Sequence, residues 1–147
     1  MVSNSRSRFA AAASCALTAY AFSAAAAPTP CSELAGTTIP AANISLPTRG
    51  AIIKTALVVP ATPPGPTAVG EYCKVDGGIL PVDVTAPQIL FQVNLPTAWN
   101  GKALQFGGGG YNGTIPIGTG NGPAGPVDRP PPLGRGYATF ASDSASE

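Results

Sequence analysis

A chain of 147 residues with a formal net charge of +1 and 10% charged residues has room for one domain and no basic stripe for nucleic acid. Gly (18) and Pro (17) far exceed average usage, which favours strands and loops over helices, while 44% apolar content permits a core. Histidine is absent, which excludes an imidazole base, an HExxH metal site and a Ser-His-Asp triad drawn from these residues alone.

The chain opens as an export leader. Arg6 and Arg8 form a positive start, Phe9 to Phe22 is apolar and Ala-rich, and Ala24 to Ala27 supply small residues for cleavage. Residues 1–27 are therefore expected to be a signal peptide, with 28–147 as the mature part, secreted or periplasmic. The apolar run, which contains Cys15, is too short for a comfortable membrane span, so no stable membrane anchor is expected. Two cysteines remain, Cys31 and Cys73, and an even count in an oxidising compartment implies a disulfide. Buried free thiols are the alternative.

Residues 28–50 read as an irregular arm with at most one helical turn near Ser32 to Leu34. AIIKTALVV, Ala51 to Val59, is β-rich and partly alternating, hence a strand ended by Pro60. Residues 60–70 form a loop by composition. Glu71 to Ile79 resumes as a strand carrying Cys73, broken at Gly77-Gly78, and residues 80–87 turn the chain. QILFQVNL, Gln88 to Leu95, alternates most clearly, and Pro96 stops it. Asn100-Gly101 is a strong turn dipeptide. Lys102 to Phe106 is therefore expected to pair back on the preceding strand, antiparallel. Residues 114–136 are a long Gly- and Pro-rich loop, and Gly136 to Ala141 a last strand ending at Ser142-Asp143-Ser144.

The candidate functional stretch is WNGKALQFGGGGYNG, Trp99 to Gly113. A short strand empties into Gly107 to Gly110, where no side chain masks the backbone amides. Such a loop brings N–H donors close to an anion or a developing oxyanion. A flexible surface turn is the bland alternative. A nucleotide loop is a third, since Gly108, Gly110 and Gly113 satisfy G-x-G-x-x-G, but that fingerprint needs a helix. Pro116, Pro123 and Pro126 deny it one. With no helix in view, the strands lack cover and look like the opening part of a larger sheet.

These segments together resemble the tannase and feruloyl esterase family of secreted α/β-hydrolases. The likeness is carried by Cys31 with Leu34, then Tyr72-Cys73-Lys74-Val75 with Gly77. Phe91 to Pro96, Trp99 to Lys102 and Phe106 to Gly113 continue it, and Arg135 to Thr139 with Ser142-Asp143-Ser144 completes it. The resemblance implies an α/β fold: the N-terminal strands of an α/β-hydrolase sheet, mostly β here, without the nucleophile elbow or the lid. It implies hydrolysis of galloyl or feruloyl esters by a serine, with a phenolic ester as the full-length protein's partner. It also implies calcium in the lid domain and no cofactor within these residues. It places an oxyanion-hole donor at Gly110, with Gly109 beside it, in line with the loop that supplies one donor in α/β-hydrolases. The family continues Ser-Asp-Ser-Gly-His or Ser-Asp-Thr-Gly-His where this sequence reads Ser144-Ala145-Ser146-Glu147. No G-x-S-x-G elbow is present. No catalytic residue is therefore expected in this chain, and Ser142, Asp143 and Ser144 are read as structural. Two functions follow: part of a phenolic-acid esterase, inactive by itself, or a small secreted β-rich binding module without catalysis.

Overall fold

Six strands form one mixed sheet in the order β1-β2-β3-β4-β6-β5. They are β1 (Thr38–Ile39), β2 (Ala51–Val59), β3 (Tyr72–Ile79), β4 (Ile89–Pro96), β5 (Ala103–Gln105) and β6 (Ala138–Ser142). The computed structural model describes residues 28–108, 113–122 and 125–144, so the expected leader lies outside the described residues. Helical structure among the described residues amounts to three single 3-10 turns, Cys31–Glu33, Ala41–Asn43 and Leu133–Arg135. The regular structure of the described residues is thus mostly strand, consistent with the expected N-terminal strands of an α/β-hydrolase sheet.

The β-branched run of β2 pairs antiparallel with β3 around a bulge at Lys54: Ile53 faces Gly77, and Thr55 already faces Asp76. The extra residue rephases the alternation, so Ala51, Ile53 and Ala56 are all buried. β3 does not break at its two glycines, contrary to the expectation. They make room for neighbours rather than bending the strand. A Cβ on Gly77 would meet the Phe91 ring and lie 2.6 Å from the Ile52 carbonyl oxygen; one on Gly78 would lie 2.6 Å from Gln88 Oε1. The arm before β2 is also more ordered than expected. Gly36, at φ +82°, turns the chain so that Gly36 N–H donates to Ile53 O and Thr37 O accepts from Ile53 N–H. That brings Thr38–Ile39 alongside the start of β2.

The larger correction concerns β5. It does not pair back on β4. β6 lies between them, antiparallel to β4 and parallel to β5. The turn at Asn100 is bound to the segment that enters β6 instead of closing a hairpin. Asn100 N–H donates to Gly136 O at 2.9 Å, and its Nδ2 donates to Arg135 O at 2.8 Å. Gly136 has φ +83°, and a Cβ there would lie 2.6 Å from Ala98 O, so this close approach needs glycine. Parallel pairing demands a long crossover, and the Gly- and Pro-rich stretch between β5 and β6 supplies it, with one 3-10 turn, Leu133–Arg135, among its described residues.

Directly opposed residues share a face, and the two faces are covered in different halves. On one, Ile53, Ala56 and Val75 are buried, with Cys31 of the first 3-10 turn and Leu34 just after it packed on them. On the other, Leu133 packs with Val69 and Tyr72. On that same second face Asn94 and Thr139, paired across β4 and β6, are sealed from solvent.

Candidate functional site

β5 and β6 run parallel, so both end on the same edge of the sheet. β5 empties into Phe106, Gly107 and Gly108, and β6 into Asp143 and Ser144. β4, antiparallel, begins at that edge, with Phe91 opposite Ser142. Crevices beyond the C-terminal ends of such strands are where open α/β sheets hold ligands.

The loop leaves the sheet under control. Phe106 N–H donates to Phe140 O at 2.8 Å, which extends the β5–β6 pairing by one bond. Gly107 and Gly108 are exposed, and a Cβ on Gly107 would meet nothing within 4 Å. Gly109 and Gly110, the expected oxyanion donors, lie outside the described residues. Gly118, further along the chain, is buried against Thr139 and Asn94. Thr139 Oγ1 donates to Gly118 O at 2.8 Å and accepts from Asn94 Nδ2 at 3.0 Å.

These two polar residues are what sequence reasoning missed. Alternation in β4 marks Gln92 and Asn94 as the solvent side, yet Asn94 is 1% exposed and Thr139 0%. Gln92 is also buried, and its Nε2 donates to Asp76 Oδ1 at 2.9 Å. Nothing in the local pattern of β4 signals that a distant loop will cover its polar face.

The other candidate residues fall into place on structural grounds. Asp143 N–H donates to Leu90 O and its carboxylate accepts from Leu90 N–H, both at 3.0 Å, so it fastens the end of β6 to the start of β4. Ser144 sits at φ +59°, a conformation uncommon outside glycine, just past that clasp. Cys31 and Cys73 are bonded, tying the first 3-10 turn to β3. That staple lies at the opposite end of β3 from the edge bearing the loop. Among the described residues no group of three or more His, Cys, Asp or Glu could hold a metal ion. No described helix is long and apolar enough to cross a membrane.

Two further features share the loop's edge. In the β3–β4 connection, Thr85 N–H donates to the Asp83 carboxylate at 2.9 Å and Thr85 Oγ1 at 2.7 Å. These donors hold its pKa below the usual value, the backbone one contributing most. An apolar cleft of about 360 Å³, lined by Ile44, Leu46, Ile79, Leu80 and Val82, opens beside β3. β4 and β6 stand between β3 and β5, a separation of roughly 14 Å at ordinary strand spacing.

Comparison with known proteins gives a consistent picture. A family model described as tannase and feruloyl esterase matches residues 73–147. An uncharacterised esterase of Agrobacterium fabrum is 53% identical over 117 residues, covering 80% of this chain and 21% of that protein. A mono(2-hydroxyethyl) terephthalate hydrolase of Piscinibacter sakaiensis is 32% identical over 83 residues, covering 54% of this chain and 13% of that protein. The chain therefore spans about a fifth, or less, of these curated relatives.

Proposed function

We propose, from the premise that this chain belongs to the tannase and feruloyl esterase family, that its glycine loop supplies an oxyanion-hole donor for the hydrolysis of phenolic-acid esters. An ester hydrolase is the kind of function its relatives support. The position of the loop carries the finer reading: it leaves the C-terminal end of a parallel strand, where a donor meets a reacting carbonyl. In the proposed reaction a serine hydroxyl, activated by a histidine, attacks the ester carbon. The carbonyl oxygen takes up negative charge, and the amides of Gly110 and Gly109 donate to it. Collapse of the tetrahedral intermediate then expels the alcohol, and water releases the acid.

The serine and histidine come from outside these residues, since the chain has neither a histidine nor a G-x-S-x-G elbow. By itself the chain is inactive in this reading. Residues 1–27 are removed on export and 28–147 reside in the periplasm or outside the cell, which suits the Cys31–Cys73 disulfide. A secreted β-rich binding module without catalysis is the alternative reading.

The test replaces the matched stretch of the Agrobacterium esterase by the corresponding residues of this chain. Methyl ferulate and methyl gallate are the substrates, and the 147-residue chain is the control. The expected result is activity in the chimera and none in the control. Gly110→Pro in the chimera removes the donor, so kcat should fall about 100- to 1000-fold, with folding verified by circular dichroism. Robust activity of the chain alone, or an unchanged kcat in a folded Gly110→Pro chimera, would overturn the proposal. An inactive but folded chimera would favour the binding module.

A further inference from the structure

We infer that the apolar cleft beside β3 is a binding site for a small apolar monocarboxylate, its hydrocarbon body in the cleft and its carboxylate on Arg49. The inference stands apart from the esterase reading and uses none of the residues assigned to it.

The walls come from segments distant in sequence. Leu46 and Thr48 belong to the arm before β2, Leu80 and Val82 to the β3–β4 connection. The polar groups where these walls meet are spent on one another. Thr48 Oγ1 donates to Leu80 O at 2.6 Å and accepts from Gly50 N–H at 3.1 Å. Leu80 O also accepts from Arg49 N–H at 2.9 Å, and Leu80 N–H donates to Gly50 O at 2.8 Å. Pro47 and Pro81, which line the cleft too, carry no N–H. What remains to meet an occupant is hydrocarbon. The cleft is nevertheless open, with Leu46 71% and Val82 60% exposed at its mouth. Its volume of about 360 Å³ is at the small end of clefts that hold small molecules. An occupant with a compact apolar body removes those side chains from water.

Charge selects the other end of that occupant. Arg49 Nε–H donates to Pro81 O at 2.8 Å, so the guanidinium is held against a residue of the cleft wall. A guanidinium has further N–H donors beyond that one, and its planar fork matches the two oxygens of a carboxylate. Among the described residues no acid takes them: the one ion pair there joins Lys74 to Asp76. Asp83, two residues beyond Pro81, accepts instead from Thr85 N–H and Thr85 Oγ1. An apolar cleft with an uncompensated cation fixed at its wall complements an amphiphile with one negative charge. A phosphate monoester, at about −1.5 to −2 near neutral pH, carries more charge than a single guanidinium offsets. A carboxylate matches it one to one. Aryl and alkyl acids share this chemistry, and the cleft accepts either by the same contacts.

The experiment is an amide NMR titration of the full chain at neutral pH with cinnamate and with octanoate. The uncharged amides of the same two acids are the controls. At least one acid should shift the amides of Leu46, Thr48, Arg49, Leu80 and Val82 saturably, with a Kd on the order of 1 mM for so small a ligand. Its neutral amide should bind about fivefold more weakly or worse. Whichever acid binds more tightly identifies the source as aryl or alkyl. Arg49→Gln should raise the Kd of the acid about fivefold and leave acid and amide equal, while Arg49→Lys, which keeps the charge without the fork, should fall between. Leu46→Asp places a carboxylate at the mouth and should abolish binding of the acid. Both side chains are exposed, so the remaining β2, β3 and β4 amides should keep their positions in these variants. Several results would overturn the inference: no saturable shift with either acid up to about ten times the expected Kd, equal affinity for acid and amide in the parent chain, or an unchanged Kd in a folded Arg49→Gln variant. So would cleft shifts that follow protein concentration and not ligand, which would assign the cleft to contact between copies of the chain.

Discussion

Along one cross-strand row Ala56, Val75, Val93, Phe140 and Gln105 stand side by side on the same face. Ala56 and Val75 are 9% and 3% exposed, while Phe140 is 37% exposed and Gln105 lies open. Along the adjacent row, on the opposite face, Leu57 is 62% exposed, Asn94 and Thr139 are sealed, and Leu104 is 39% exposed. The β2–β3 half is thus secured by apolar packing and a disulfide, and the β4–β6 half by a buried polar chain under a loop. Apolar packing is non-directional and tolerates modest rearrangement, whereas a hydrogen-bond chain fixes positions. Apolar stability is concentrated in one half, and directional definition in the other.

The strongest way to break this division is to remove the staple. Cys31 and Cys73 are 42 residues apart in sequence. In the chain-entropy model a cross-link closing a loop of that size stabilises by roughly 4 kcal/mol. A Cys31→Ser, Cys73→Ser double variant should lose about that much in urea unfolding of the mature chain, and exchange protection in β2 and β3 should fall before that of β6. A loss below about 1 kcal/mol would show that the apolar core holds that half unaided.

A smaller effect in the same half comes from Gly77. Its added Cβ would meet the Phe91 ring and the Ile52 carbonyl oxygen. The ring is the far end of a side chain, but the backbone oxygen belongs to a paired strand. Gly77→Ala should destabilise by about 1–3 kcal/mol, as overpacking does, with the disulfide still intact. A neutral Gly77→Ala in thermal unfolding would mean that β2 moves aside more easily than its pairing suggests.

The same division explains what the sequence reveals. β2, β4 and the disulfide are legible because each depends on short-range signals: β-branched runs, alternation, and an even cysteine count. The glycines of β3 mislead because a packing gap and a chain break look alike without knowledge of Phe91 and Ile52 across the strands. β5 misleads for a similar reason. Asn100-Gly101 is a hairpin signal, yet the bonds that decide the pairing reach Arg135 and Gly136, far along the chain. The glycine loop is visible at once as a run of residues. The burial of Asn94 is not, because it lies on the polar side of an alternating strand and its cover arrives from Gly118.

Asn100 offers a sharper test of the second half. Its Nδ2 donates to Arg135 O, and its Oδ1 accepts from Lys102 N–H at 2.9 Å. Both bonds are exposed, so Asn100→Ala should cost only about 1 kcal/mol. The change should appear as faster exchange in β5 and the start of β6, with β2 and β3 untouched.

The smallest expected effect lies in the connection between the halves. Thr85 donates to Asp83 twice, holding its carboxyl below the ordinary aspartate value. A carboxyl whose folded pKa is lowered adds stability above its unfolded pKa, and that contribution is lost as pH falls through the folded one. Asp83 is on the surface, so solvent screens the gain, and the unfolding midpoint should not respond between pH 5 and pH 8. The signature belongs in a carbon-detected NMR titration. Asp83 should titrate below an ordinary aspartate. Thr85→Val should raise it only part of the way, because the backbone N–H of residue 85 remains and is the stronger of the two donors. A complete return to the ordinary value in Thr85→Val would assign the shift to the hydroxyl instead. No shift in the parent chain would mean that this turn is not held at the edge of the sheet in solution.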